Sequence, residues 1–146
     1  MKLFEKDFSK EQLEAVAAHL LEYMNSYHLA TFTGDLGAGK TTLIGTICQK
    51  LGVEDKVSSP TYSLVNQYSG KLGHKDIEIF HIDLYRLGSE EEVFQAGIYD
   101  ILNTAEICFV EWPERLSDWT ARKRLEVCLT SSTPEMRHIE VFSHEN

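Results

Sequence analysis

A three-layer α/β domain, with a mixed β-sheet flanked by helices, is the fold that this 146-residue sequence predicts. Three observations carry the prediction. A β-rich run at 28–33 leads into a glycine-rich stretch at 34–42, and then into a run whose apolar residues 43, 44, 47 and 51 have helical spacing. A continuous apolar run, Ile107-Cys108-Phe109-Val110, is the mark of a strand covered on both faces. Around these two segments, strand-like and helix-like periodicities follow one another without repeats or low-complexity segments.

The elements follow in order. Ser9 and Gln12 have capping-box spacing at the head of a helix. Leu13, Val16, Ala17, Leu20, Leu21 and Met24 recur on one face of that helix, which is expected to end near Asn25. The strand at 28–33, the glycine loop and the helix to Leu51 come next, with Gly52 as the stop. Residues 53–60 form a polar connection, and Pro60 forces extended backbone on Ser59. Alternation over 61–68 predicts a strand, 70–74 a turn, and 77–83 a second strand, so that the short link makes a hairpin. Ser89 and Glu92 form another capping box, opening a helix that Gly97 breaks before 98–102. The strand over 105–110 follows. Two last strands, 125–129 and 138–142, flank a turn at 131–134 and are expected to be antiparallel edge strands.

Bulk properties exclude several classes. The length is that of one domain, 1–146, large enough for a proper core. Fourteen Lys and Arg against 23 Asp and Glu give a net charge of −9, which argues against a broad electrostatic grip on nucleic acid. The three cysteines, Cys48, Cys108 and Cys128, lie far apart in apolar runs, so buried reduced thiols are expected rather than disulfides or a zinc site. The six histidines show no metal-ligand spacing. No apolar run has the length of a membrane span and the first residues do not read as a signal peptide, so a cytoplasmic protein is expected.

Chemistry is concentrated in Gly34-Asp35-Leu36-Gly37-Ala38-Gly39-Lys40-Thr41-Thr42, which fits G-x-x-x-x-G-K-[ST]. Strand, loop and helix supply the context this phosphate-cradling P-loop requires, so the fold predicted is that of a P-loop NTPase. Glycines let successive backbone N–H groups turn onto phosphate oxygens, and the following helix adds its N-terminal donors. Asp35, Leu36, Gly37, Ala38, Gly39, Lys40, Thr41 and Thr42 are thus the candidate nucleotide-phosphate-binding residues, Lys40 reaching the phosphates and Thr41 a Mg²⁺ ion. Such an ion needs a carboxylate, and Asp83 and Glu111 each end a strand. Thr61, just past Ser59-Pro60, is either a switch threonine near the γ-phosphate or a plain strand opener. His81 alternates with Asp83 on one strand face and is either near the loop or a hydrogen-bonded core residue. Arg86 is a contact for phosphate or a partner, or a surface ion pair; Trp112 is a packing residue or a base-stacking one, and its place beside Glu111 keeps it near the nucleotide.

Four blocks together resemble the signature blocks of the TsaE (YjeE) family of bacterial P-loop ATPases. They are the glycine loop, Ser59-Pro60-Thr61-Tyr62, His81-Ile82-Asp83-Leu84-Tyr85-Arg86 and Val110-Glu111-Trp112-Pro113-Glu114, covering about residues 30–115. The resemblance implies an ATPase that assists formation of threonylcarbamoyladenosine at adenosine 37 of tRNAs reading codons that begin with A. It implies docking on the TsaD and TsaB proteins, with ATP turnover resetting their complex, so that tRNA is met only indirectly. By the same resemblance Lys40 binds phosphate, Thr41 ligates Mg²⁺, Asp83 and Glu111 are the catalytic or metal-binding acids, and Thr61 and Trp112 lie at the site. Phe8, Ser9 and Gln12 are candidates near the adenine. Two other readings remain open: a small-molecule P-loop kinase, against which Arg115, Arg122, Arg124 and Arg137 are too dispersed for a lid, and a non-hydrolysing nucleotide switch.

Overall fold

The computed structural model describes residues 1–61, 63–116 and 123–145. Tyr62 of the second signature block and Arg122 lie outside the described residues. Seven strands form one sheet: β1 (Lys2–Ser9), β2 (Leu29–Thr33), β3 (Val65–Leu72), β4 (Lys75–Asp83), β5 (Ile107–Glu111), β6 (Arg124–Ser131) and β7 (Met136–His144). Their spatial order is β1-β7-β6-β2-β5-β4-β3. β2 lies parallel to both β5 and β6, and β4 lies parallel to β5, whereas β3–β4, β6–β7 and β1–β7 are antiparallel. The sheet is therefore mixed, as the sequence predicts.

Helices cover it in two layers. α1 (Leu13–Tyr23) and α2 (Lys40–Lys50) pack on one face through Val16, Leu20, Leu43, Ile44 and Ile47, against Phe32, Ile79, Phe109, Val127 and Ile139 of five strands. α3 (Glu90–Gln95) and α4 (Ile98–Thr104) cover the other face through Val93, Ile98 and Leu102, against Ile82, Cys108 and Val110. All five residues of β5 are buried, as expected for its apolar run. Strand alternation then decides the site: residues 77, 79 and 81 of β4, and 107, 109 and 111 of β5, point to the α2 side.

Several boundaries differ from the sequence reading, for identifiable reasons. β1 was not predicted, because Lys2, Glu5, Lys6 and Asp7 interrupt its apolar pattern. It forms as a charged edge strand, a composition that protects an edge from pairing with other chains. With β1 added beyond β7, and β6 lying between β7 and β2, neither of the last two strands is an edge; β1 and β3 are. β3 begins four residues later than expected and runs through Gly70 to Leu72, leaving Gly73-His74 as the hairpin turn. Gly70 is not a turn glycine. A Cβ there would lie 2.6 Å from the Leu51 carbonyl oxygen, so the glycine lets the strand backbone approach the end of α2.

The first helix begins with a single 3-10 turn, Lys10–Gln12, in which Gln12 Oε1 accepts the Ser9 N–H at 2.9 Å. The second capping box is modified. Glu92 Oε1 accepts the N–H of Gly88 at 2.8 Å instead of that of Ser89. Cys48 and Cys108 are buried free thiols, and burial pushes Cys48 up to about 12; Cys128 is half-buried.

The β1–β7 face turned away from α1 is polar. His138 Nδ1 lies 2.7 Å from Asp7 Oδ1, its Nε2 2.8 Å from Glu5 Oε2, and Lys2 Nζ 2.9 Å from both Glu5 and Glu140. The Asp7 hydrogen bond, and then that of Glu5, raise the His138 pKa above its ordinary value. A raised folded-state pKa contributes stability below the unfolded value of about 6.5, lost as pH rises through the folded value. The stability advantage of the parent over His138→Gln should accordingly be present below pH about 6.5 and be lost as pH rises through the raised folded-state value, amounting to a few degrees in Tm at most. A difference in Tm that stayed constant across that range would refute the assignment.

Candidate functional site

The site lies where β2, β4 and β5 end and α2 begins. From β2 the chain turns through residues 34–39 close against the sheet: a Cβ on Gly34 would lie 2.4 Å from the Leu129 carbonyl oxygen of β6. Glycine is therefore required at the first position of the loop. Arg137 of β7 holds the loop from the side, Nε donating to the Ala38 carbonyl at 3.1 Å and Nη2 to that of Gly37 at 3.4 Å. α2 then starts at Lys40, so its first turn aims backbone N–H groups into the concavity.

Lys40 is buried, its ammonium donating to the Gly34 carbonyl and standing 3.6 Å from the centroid of the Trp112 ring. Burial lowers its pKa, and the carboxylates of Glu111, Glu114 and Asp83 act in the opposite direction. Trp112 is the one non-glycine residue among those described with a positive φ, at 59°. A left-handed conformation in so bulky a residue costs on the order of 1–3 kcal/mol. It turns the indole from the end of β5 onto the lysine and onto Tyr85, whose ring centroid is 4.9 Å away.

The two strand-end acids come together by register. Asp83 of β4 pairs with Glu111 of the parallel β5. Their surroundings differ. Glu111 is 2% exposed, and its carboxylate is straddled by the Thr41 hydroxyl, 2.8 Å from Oε2 and 3.0 Å from Oε1. His81 Nε2 is 2.7 Å from the same Oε2. Thr41 Oγ1 is also 3.0 Å from Ser59 Oγ, which joins the 53–60 connection to the loop. Asp83 is half-buried and accepts the Tyr85 N–H at 3.0 Å.

These groups line an open cleft of about 650 Å³, a size suited to a nucleotide-sized ligand. Of the residues singled out in the sequence, Leu36, Gly37, Gly39, Lys40, Thr41, Thr42, Thr61, Asp83, Arg86, Glu111 and Trp112 line it. Asp35 and Ala38 line instead a smaller hollow with Thr130 and Ser131, which shares Leu36 and Gly37 with the cleft. Thr61 is exposed, and its carbonyl accepts from Arg86 at 3.5 Å. It precedes β3 instead of opening it. Phe8, Ser9 and Gln12 do not line the cleft: Phe8 is buried in the core, and Ser9 and Gln12 bond to each other. Sequence reasoning missed Arg137 as a site residue, because only the β1–β7–β6–β2 order carries it to the loop. It also left His81 between two readings; the structure makes it a fully buried, hydrogen-bonded core residue, bonded to Glu111 and not lining the cleft itself.

A glycine loop pressed against a parallel strand pair, with its lysine and threonine facing a strand-end carboxylate, defines a P-loop protein of the NTPase class. More specifically, the chain belongs to the TsaE family. The family model for "Threonylcarbamoyl adenosine biosynthesis protein TsaE" matches residues 8–139. Among its relatives is the tRNA threonylcarbamoyladenosine biosynthesis protein TsaE of Haemophilus influenzae, 49% identical over 84 residues, a match covering 56% of this chain and 49% of that protein. The protein of that name in Nostoc is 32% identical over a match covering 96% of this chain and 84% of its own length. The crystal structure of Bacillus subtilis YdiB shares the fold, with a TM-score of 0.68 at 22% identity, covering 98% of this chain and 87% of that one. The matching model and these relatives are named for threonylcarbamoyl adenosine biosynthesis. Among the described residues no helix is long and apolar enough to cross a membrane.

Proposed function

We propose that this chain, as a single domain, is a Mg²⁺-dependent ATPase in the cytoplasm. It serves threonylcarbamoyladenosine formation on tRNA by acting with TsaD and TsaB and resetting their complex between rounds. The observation that carries the reading is the Thr41–Glu111 contact beside Lys40, which joins the end of the P-loop to the end of β5 in one cleft.

The residues fit both cofactors. The loop backbone is held against β6, and Lys40 is the cation that would leave the Gly34 carbonyl for a phosphate oxygen. The Thr41 hydroxyl with the Asp83 and Glu111 carboxylates is an all-oxygen donor set, suited to a hard cation such as Mg²⁺. Bound there, Mg²⁺ would neutralise charge on the transferring phosphoryl group. Glu111, buried and fixed, would hold the Thr41 hydroxyl in place; Asp83, nearer solvent, is the group free to orient an attacking water. The Trp112 ring shields Lys40 from water.

Purified chain with Mg-ATP should release phosphate slowly, on the order of 10⁻³–10⁻² per second. Adding TsaD and TsaB should change that rate. Phosphate appearing on a metabolite would select a kinase instead. Nucleotide-dependent partner binding with no phosphate release under any condition would select a non-hydrolysing switch.

A further inference from the structure

We infer that His81 is the positioning residue of Glu111, setting the orientation in which its carboxylate meets Thr41 and the cation that Thr41 would hold. The inference rests on the Mg-ATP reading above and assigns within it a residue that never touches nucleotide.

The geometry is asymmetric in an informative way. The Thr41 hydroxyl lies almost equally far from the two carboxylate oxygens, 2.8 and 3.0 Å, so it cannot choose between rotations of the carboxylate. His81 can. Its Nε2 meets Oε2 at 2.7 Å, a hydrogen bond to one oxygen and not the other. Oε2 is thereby tied to β4 as well as to the Thr41 hydroxyl, whereas Oε1 meets the hydroxyl alone.

The cost of this histidine points the same way. His81 is fully buried on the β4 face that carries Ile77 and Ile79, beside Phe109 of β5. Its Nδ1 has no hydrogen-bond partner among the described residues. An apolar side chain would suit that packing better, since a buried polar atom without a partner is unfavourable. The bond to Glu111 is what a histidine adds there. Partners standing behind a metal ligand characteristically fix it in this manner.

Three substitutions separate positioning from packing. In His81→Gln the amide nitrogen falls where Nε2 was, whereas in His81→Asn it falls where Nδ1 was and cannot reach Glu111. His81→Leu removes both. Binding of Mn²⁺, used as the probe in place of Mg²⁺, is followed by electron paramagnetic resonance in the presence of a non-hydrolysable ATP analogue. Analogue binding without metal, kcat and KM are measured alongside. The Asn and Leu variants should bind Mn²⁺ about 10- to 100-fold more weakly and lose kcat/KM for the metal–nucleotide complex in proportion, with metal-free analogue binding unchanged. The Gln variant should stay within a few-fold of the parent. Should the Leu variant fail to fold, the Gln–Asn pair decides alone. Asn binding Mn²⁺ as tightly as the parent, or Gln failing as badly as Asn, would overturn the role of His81 while leaving the ATPase reading intact. A parent chain that binds neither analogue nor Mn²⁺ would overturn both.

Discussion

Lys40→Ala should weaken ATP binding at least about a hundredfold, roughly 3 kcal/mol, while leaving the protein as stable as the parent or slightly more so. The two halves of this expectation have different origins. Lys40 is the buried cation at the start of α2, lining the cleft with Arg86 and Arg137, and a polyphosphate entering a partly desolvated site without it loses the charge-assisted bonds nearest the loop. In the unliganded fold the same ammonium is buried, bonded to the Gly34 carbonyl and stacked on Trp112, and burial lowers its pKa. A lowered lysine pKa means that folding disfavours the charge, so removing it does not destabilise the fold at neutral pH. Stability is given up at this position for function. Calorimetric titration with ATP and a thermal melt on the same sample check both halves. A variant that binds ATP like the parent would remove the loop from the proposal; one that merely unfolds would show Lys40 to be structural.

Replacing Glu111 should have the opposite profile, with nucleotide held and turnover lost. Glu111→Ala is expected to retain ATP affinity within a few-fold and to lose about 10²- to 10³-fold in kcat, the usual cost of removing one preorganised group from a reaction centre. It should also cost about 1–3 kcal/mol in stability, because the Thr41 hydroxyl and His81 Nε2 lose their shared acceptor in a buried place. Glu111→Gln restores an acceptor and should recover stability without recovering turnover. Asp83→Ala should also bind ATP and turn it over poorly, but with little change in stability, since Asp83 is half-buried and its hydrogen bond among the described residues is to the nearby Tyr85 backbone. Single-turnover phosphate release, paired with binding of a fluorescent ATP analogue, distinguishes the cases. Unchanged turnover in both alanine variants would take the acids out of the mechanism.

The contrast between these acids was not legible in the sequence. Each ends a strand, and Glu111 has the more continuously apolar flank in Cys108-Phe109-Val110, but the pattern does not say which of them meets the loop. Register decided between them: β4 and β5 run parallel with Asp83 opposite Glu111, and only β5 brings its last side chain under the start of α2. The second strand of the hairpin was read correctly because its alternation is local. The first was misplaced because Gly70 signals close approach to α2 as readily as it signals a turn.

The sequence by itself determined the loop, its lysine and threonine, the two strand-end acids and the layered order of helices and strands. Those features rest on short-range rules: where a backbone needs glycine, how a helix begins, and which period an apolar run keeps. Only the tertiary structure decided that a charged N-terminal strand closes one sheet edge, that Arg137 braces the loop from β7, and that His81 ties down one oxygen of Glu111. Each depends on which strand lies beside which, a matter of pairing between segments up to 142 residues apart. No local pattern encodes it, because a side chain's neighbours across a sheet are chosen by the burial of the whole fold.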